Sequence, residues 1–165
     1  MRRKIFVIGL FVLIPALAWS QEATKQNAGQ GYVFVAPGMS VGSCSAVGFL
    51  NFGGGGEVNL YKSLGMGVEL GYLSPIKYLN EAIGLFSLNG IYAFKGGSNS
   101  KVAPFVTGGY SLAFRGGHAN ALNLGIGAHY WFSKKAGMRF EFRDYLSPSY
   151  ASCHILQGRF GISFR

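Results

Sequence analysis

Beyond residue 30 the chain alternates. In Met66-Gly-Val-Glu-Leu-Gly-Tyr72 and in Met138-Arg-Phe-Glu-Phe-Arg143, large apolar residues take every second position and small or charged ones fill the gaps. Successive side chains leave a β-strand on opposite faces, so a period of two over about ten residues reads as strand rather than helix. Eight such stretches follow one another, at approximately 31–36, 48–61, 64–74, 82–95, 102–114, 120–132, 137–146 and 155–164. Turn residues mark the boundaries: Lys62-Ser63, Lys95 to Lys101 and Ser133 to Ala136 on one side, and Pro37, Ser74-Pro75, Arg115 to His118 and Ser147-Pro148-Ser149 on the other. The pattern predicts an all-β chain of antiparallel, up-and-down strands.

The two faces differ sharply. Even positions carry Val58, Leu60, Met66 to Tyr72, Phe86, Leu88, Tyr92, Phe94, Val106, Tyr110, Leu112, Phe114, Leu122, Leu124, Ile126, Tyr130, Phe132, Phe140, Phe142, Phe160, Ile162 and Phe164. Odd positions of the same strands carry Glu57, Asn59, Glu69, Ser87, Asn89, Thr107, Ser111, Asn123, His129, Arg139, Glu141, Arg143, Gln157 and Arg159. A soluble periplasmic β-sandwich would bury the first set and wet the second; a membrane barrel does the reverse. Three features favour the barrel. The strands are long enough for a tilted bilayer crossing, aromatics gather at strand ends (Tyr92 and Phe94, Tyr130 and Phe132, Phe164), and an even strand count closes a cylinder with both termini on one side. Closure also removes sheet edges, whose open backbone groups lipid cannot satisfy.

The start of the chain fits an exported protein. Arg2, Arg3 and Lys4 precede an apolar run from Ile5 to Leu17, and Ala18-Trp19-Ser20 supplies small residues at a cleavage site. The expected organisation is a signal peptide over 1–20, a short periplasmic segment over 21–30 and an outer-membrane β-barrel domain over 31–165. Charged residues make up only 13% of the chain and aromatics 15%, and the net charge is +9. Cleavage after Ser20 leaves 12 basic against six acidic residues, and the lysines are scattered, with only Lys134 and Lys135 adjacent, so nucleic acid is excluded as a partner. Export to an oxidising compartment permits a disulfide between the two cysteines, Cys44 and Cys153.

The segments GGGGEVNLYKSLGMGVELGY, APFVTGGYSLAF, NLGIGAHYWFSKKAGMRFEFRDY and the closing RFGISFR resemble the small eight-stranded outer-membrane β-barrels of Gram-negative bacteria, the group of the OmpA transmembrane domain and OmpX-like proteins. The resemblance runs from about Gly31 to the last residue. It implies an eight-stranded antiparallel up-and-down transmembrane β-barrel in the outer membrane, Sec-exported, monomeric, bearing no cofactor. Its partners would be outer-membrane lipid and lipopolysaccharide and, during biogenesis, the barrel assembly machinery. It also implies an assembly signal in Phe160, Ile162 and Phe164, from which this chain departs by adding Arg165, and a lone barrel, since no peptidoglycan-binding domain follows.

In such a barrel the odd positions line the lumen, gathering Glu57, Glu69 and Glu141 with Arg139, Arg143 and Arg159, three charges of each sign. Eight strands leave room only for their own side chains, so these charges are expected to pair into a plug, with a gated pore or a proton path through Glu69 and His129 as the minority reading. The loops opposite the termini, about 37–46, 75–81, 115–119 and 147–154, face outward. Cys44 falls in the first and Cys153 in the last, above the seam between the first and eighth strands, and a disulfide there would staple the short first strand.

Two chemical readings compete with a structural or surface role in membrane integrity, adhesion or binding. A lipid A-modifying hydrolase needs a histidine, a serine and a carboxylate near the outer rim: His118 and His154 lie in or beside the outer loops, with Asp144, Ser147, Ser149 and Ser152 near His154, but His154 precedes Ile155-Leu156 rather than the deacylases' His-x-Ser-Asn. A narrow porin-like channel is the second. No metal-spaced His/Cys set is present, and no catalytic residue is assigned. Lys77, Tyr78, Arg115 and Tyr150 could touch lipopolysaccharide phosphates or anchor the membrane rim. Finally, the run Gly53 to Gly56 is followed by Glu-Val-Asn-Leu-Tyr and not by Gly-Lys-Ser/Thr, so it is no phosphate loop. Gly53 and Gly55, with Gly67 and Gly71, are expected to leave lumen space for Trp131, Arg139 and Arg143.

Overall fold

The computed structural model describes residues 29–77, 82–94, 101–114, 118–147 and 150–165, the side chains of 150–152 excepted. The signal sequence expected over 1–20, Tyr78, Arg115 and Ser149 lie outside the described residues, as do the side chains of Tyr150 and Ser152. Eight strands follow in order: β1 (Gln30–Gly42), β2 (Gly48–Tyr61), β3 (Leu64–Pro75), β4 (Ile83–Ala93), β5 (Val102–Phe114), β6 (Ala119–Trp131), β7 (Ala136–Ser147) and β8 (Tyr150–Phe164). Each pairs antiparallel with its neighbour in sequence, and β1 closes the barrel onto β8.

The register fixes the shape of the cylinder. From Val35, paired residues lead through Phe52, Tyr72 and Gly84 to Phe114 on β5. In the other direction they lead through Phe160, Phe140 and Ala128 to Pro104 on the same strand. Those two ends are ten residues apart, so the strands are strongly staggered, and a closed eight-stranded sheet with such stagger must tilt by about 35–45°.

From β2 to β8 odd residues point inward and even residues outward, as the alternation predicts. Glu69, Asn123, Arg143 and Gln157 are buried, while Met66, Leu88, Leu124, Phe142 and Ile162 are exposed. Asn59 is exposed near the end of β2 that lies with the chain termini, where it lines the mouth of the lumen. β1 reverses the phase: Tyr32, Phe34, Ala36 and Ser40 are buried, and Val33, Val35 and Met39 are exposed. Its register joins its odd residues to even ones on both neighbours, as in Val35 with Phe52 and Val33 with Ile162, so the apolar outer wall stays continuous.

Two strands are longer than the sequence suggested. β1 runs through Pro37 to Gly42 rather than stopping near residue 36, so the first outer loop shrinks to 43–47 and β1 is not a short strand. Proline lacks the N–H a ladder needs, which normally ends a central strand. Here Ala36 and Pro37 make no registered pair with β8, yet Val35–Phe160 and Gly38–Gln157 on either side keep one register, and Pro37 still pairs with Leu50 on β2. The ladder skips two positions and resumes. β8 likewise begins at Tyr150 rather than near 155, which makes Cys153 and His154 strand residues and not loop residues.

The glycine run lies within β2. A Cβ on Gly55 would sit 2.5 Å from the Val68 carbonyl oxygen and 2.9 Å from both Glu69 Cγ and Tyr32 Cζ; one on Gly53 would collide with the Leu70 carbonyl oxygen and lie 2.6 Å from Gly71 Cα. Glycine is needed here for close approach. The space is not filled by Trp131, Arg139 and Arg143, as the sequence suggested: Tyr32 and Glu69 pack at Gly55, Ile91 and Glu57 at Gly67, and Asn51 and Phe34 at Gly71. The nearer side chains win because β1 turns its aromatic face inward. Trp131 packs over Gly137 on the adjoining strand.

Candidate functional site

The lumen is stratified along the barrel axis. At the end that carries both termini of the barrel, β6 supplies His129 and Trp131, β2 supplies Glu57, and β1 supplies Gln30. His129 stacks on Trp131 with ring centroids 5.7 Å apart and touches Glu57 Oε1 at 3.3 Å. These residues, with Phe105 and Arg165, line a recess of about 100 Å³ at the mouth. The Arg165 guanidinium lies over the Trp131 ring at 3.6 Å, and its backbone N–H donates to the Lys135 carbonyl at 3.0 Å, so the residue that follows the terminal aromatic is tied down.

Above the recess the six predicted lumen charges form one connected network. Arg139 bridges Glu57 at 2.9 Å and Glu141 at 3.1 Å; Arg143 binds both Glu141 and Glu69; Arg159 bridges Glu69 at 2.8 Å and approaches Glu141 at 3.5 Å. All six side chains are buried. Unpaired, each would carry a desolvation cost of several kcal/mol; with three charges of each sign interleaved, every one has a counter-ion in contact.

Three more residues join this network: Asn89, which the odd set already contained, and Tyr32 and Gln30, which the alternation did not show. The Tyr32 hydroxyl donates to Glu69 Oε2 at 2.6 Å, Asn89 donates to Glu69 Oε1 at 3.1 Å, and Gln30 donates to Glu57 Oε1. Arg139 lies over the Tyr32 and Phe105 rings at 4.4 and 4.2 Å, and Arg159 over the Phe34 ring at 3.8 Å, so the apolar faces of the guanidinium planes are covered by rings. Tyr32 and Phe34 were hidden because β1 reads Tyr-Val-Phe-Val-Ala, apolar on both faces. Phe105 was the more legible case, an aromatic at an odd position of β5.

Glu69 and His129, the two residues of the expected proton path, have separate direct partners apart from the arginine network. His129 meets Glu57 and Arg139, whereas Glu69 meets Tyr32, Asn89, Arg143 and Arg159. Guanidinium groups stay protonated and interrupt a relay. Farther out, Asn123 donates to Asn89 and to Ser111 at 2.9 Å each, Ser111 meets Ser87 at 2.7 Å, and Asn51 donates to Gln157 at 3.2 Å. Toward the outer ends of β3, β4 and β7, buried Leu73, Leu85 and Tyr145 give the lumen an apolar layer.

At the outer rim Cys44 and Cys153 form a disulfide, with Cα atoms 5.4 Å apart. Cys44 lies two residues past β1; Cys153 lies in β8, opposite Gly42. On the outward face beside this seam, His154 Nδ1 donates to Asp144 Oδ2 at 2.8 Å. Of the other residues considered for hydrolysis, His118 is exposed before β6 and Ser147 ends β7. Phe160, Ile162 and Phe164 project from β8 into the outer wall, and Lys77 is exposed in the turn after β3.

Comparison with known proteins bears on the fold. No protein-family model matches the chain, and no curated protein matches it. Among solved structures, the crystal structure of Neisserial surface protein A is 14% identical, with a TM-score of 0.67 over 84% of this chain and 97% of that one. The N-terminal β-barrel domain of Pseudomonas aeruginosa OprF is 16% identical, with a TM-score of 0.59 over 83% and 98%. The attachment invasion locus protein Ail of Yersinia pestis, solved with the heparin analogue sucrose octasulfate, is 8% identical, with a TM-score of 0.58 over 84% and 98%. At these identities the likeness is one of architecture, and the chain has the fold of the small eight-stranded outer-membrane β-barrels.

Proposed function

We propose that this chain is an integral outer-membrane protein whose lumen is a salt-bridged plug, and that it serves the membrane as a structural and surface protein. The observation that carries the reading is the inversion of the usual distribution: three glutamates and three arginines are buried and mutually paired inside, while Phe52, Leu124, Ile126, Phe142 and Phe160 stand exposed around the outside. Water does not stabilise such an exterior, and a bilayer does. Outer-membrane lipid and lipopolysaccharide are then its immediate partners, reached through the Sec pathway and the barrel assembly machinery, with Phe160, Ile162 and Phe164 as the assembly signal. The outer connections are short, 43–47 and 148–149 among them, which suits packing and lipid contact better than a large protein interface.

The test is direct. The full chain expressed in a Gram-negative host should fractionate with the outer membrane and migrate faster on a gel when unheated than when boiled. A soluble fraction with one heat-independent band would overturn the outer-membrane reading. A deletion strain with raised detergent sensitivity and unchanged adhesion would place the role in membrane integrity; the converse would place it in surface binding.

A further inference from the structure

The four even-numbered strands end alike. Each closes on an exposed aromatic that a cation follows directly or after one residue: Tyr61 and Lys62 at β2, Phe94 and Lys95 at β4, Phe132 and Lys134 at β6, Phe164 and Arg165 at β8. Lys95 itself lies outside the described residues. Lys101, just before β5, and Lys135, just before β7, belong to the same end of the cylinder, the one that carries the termini.

These cations stand on fixed backbone. The Lys101 and Lys135 carbonyls accept from the N–H groups of Trp131 and Arg165 at 2.9 and 3.0 Å, and Lys62 Nζ lies 4.8 Å from the centroid of the Tyr61 ring. The charge at this end is also one-sided. Among the described residues no Asp or Glu side chain is exposed here: Glu57, Glu69 and Glu141 are buried in the lumen, and Asp144 belongs to the opposite end. That opposite end shows Lys77 alone as an exposed lysine or arginine among the described residues.

Resting on the outer-membrane reading, the repeat acquires a definite depth. Aromatic rings of a barrel wall settle at the level of the lipid headgroups. One further residue of extended chain adds about 3.3 Å. A lysine stem lies along apolar surface while its ammonium reaches outward, so the cations stand at the height of the lipid phosphates. A zwitterionic headgroup brings its own ammonium to that phosphate, whereas an anionic one leaves a charge to be matched. A soluble acidic partner would call for the cations but not for the ring that precedes each of them at a strand end.

We infer that this end of the barrel is a collar for anionic phospholipid headgroups, with each aromatic at the acyl boundary and the cation beyond it on the phosphate of a lipid such as phosphatidylglycerol.

The mature barrel, refolded in detergent, should be offered equimolar phosphatidylglycerol and phosphatidylcholine of the same acyl chains, with retained lipid read by native mass spectrometry. Each cation near an anionic lipid surface is worth about fivefold in partitioning. Wild type should therefore retain phosphatidylglycerol over phosphatidylcholine by about tenfold or more, and Lys134→Gln with Lys135→Gln should cut that preference about tenfold. Lys77→Gln with Arg115→Gln removes the same charge from the opposite end and should leave the preference unchanged. The four positions lie outside the strands, so both variants should keep the heat-modifiable shift of wild type. A wild type without preference, a Lys134→Gln, Lys135→Gln barrel that keeps it, or an equal loss from both variants overturns the collar while leaving the outer-membrane reading intact. Capture of soluble polyglutamate in place of the lipid does the same, since it makes the rim a general polyanion surface. Loss of the heat-modifiable shift in wild type itself would remove the outer-membrane reading first, and the collar with it.

Discussion

Gly55 and Gly56 stand side by side in β2, and their substitution should have opposite consequences. A side chain on Gly55 would enter space held by Val68 backbone, Glu69 and Tyr32, two of which belong to the lumen network. A side chain on Gly56 would meet nothing nearer than the Gln30 carbonyl oxygen at 3.8 Å, toward lipid. Gly55→Leu should therefore abolish the heat-modifiable folded band and Gly56→Leu should preserve it; a folded Gly55→Leu barrel would overturn the inward assignment of this strand. Glu69 is the companion case, because it holds Arg143 and Arg159 together and accepts from Tyr32 and Asn89. Replacing it with alanine leaves two guanidinium groups with one carboxylate fewer, and urea unfolding in lipid vesicles should show a loss of about 3–5 kcal/mol. The six charges were legible from parity alone, because Glu57, Glu69, Arg139, Glu141, Arg143 and Arg159 all fall on the odd face of β2, β3, β7 and β8. Tyr32, Phe34 and Gln30 were not, because a strand apolar on both faces gives no sign of which face turns in.

At the scale of the element, β1 shows what pattern reading misses and why. Pro37 looked like a strand end, since a proline without N–H costs a ladder bond wherever both neighbours need one. In this barrel the break is confined to Ala36 and Pro37 against β8, and the pairs beyond it, from Gly38 to Gly42, continue as before. Only a closed sheet, in which β2 holds the other side of the same strand, reveals that the interruption is local. Those outer pairs are the part of the β1–β8 seam that depends on the disulfide, which joins the chain just past Gly42 to Cys153. Cys44→Ser with Cys153→Ser should lower stability by about 2–5 kcal/mol, with amide exchange rising first in residues 38–42 and 153–157. Uniform exchange changes around all eight strands would show that the bridge acts on the whole barrel rather than on the seam.

For the whole molecule, the alternation carried the strand number, order and inside-out polarity. The stratification of the lumen was out of its reach, because height along the axis depends on the stagger between strands and not on position within one. Leu73, Leu85 and Tyr145 come from three separate strands, yet the register brings them all to the outer end, above the ionic layer. Two barriers thus stand in series: buried Leu73, Leu85 and Tyr145 toward the outer end and a paired-charge layer beneath them, with a small recess open at the end that carries the termini. An ion crossing such a lumen would have to shed water at the first barrier and separate a buried ion pair at the second. Removing one layer should leave the other closed. In planar bilayers wild type should show no large, stable channels, and neither Arg143→Ala nor the pair Leu85→Ala with Tyr145→Ala should open them. Only the triple combination, provided it still gives the heat-modifiable band, should produce resolvable conductance steps. Large steps from wild type would refute the plug outright, and steps from Arg143→Ala alone would show that the apolar layer is no barrier and that the ion pairs by themselves keep the barrel shut.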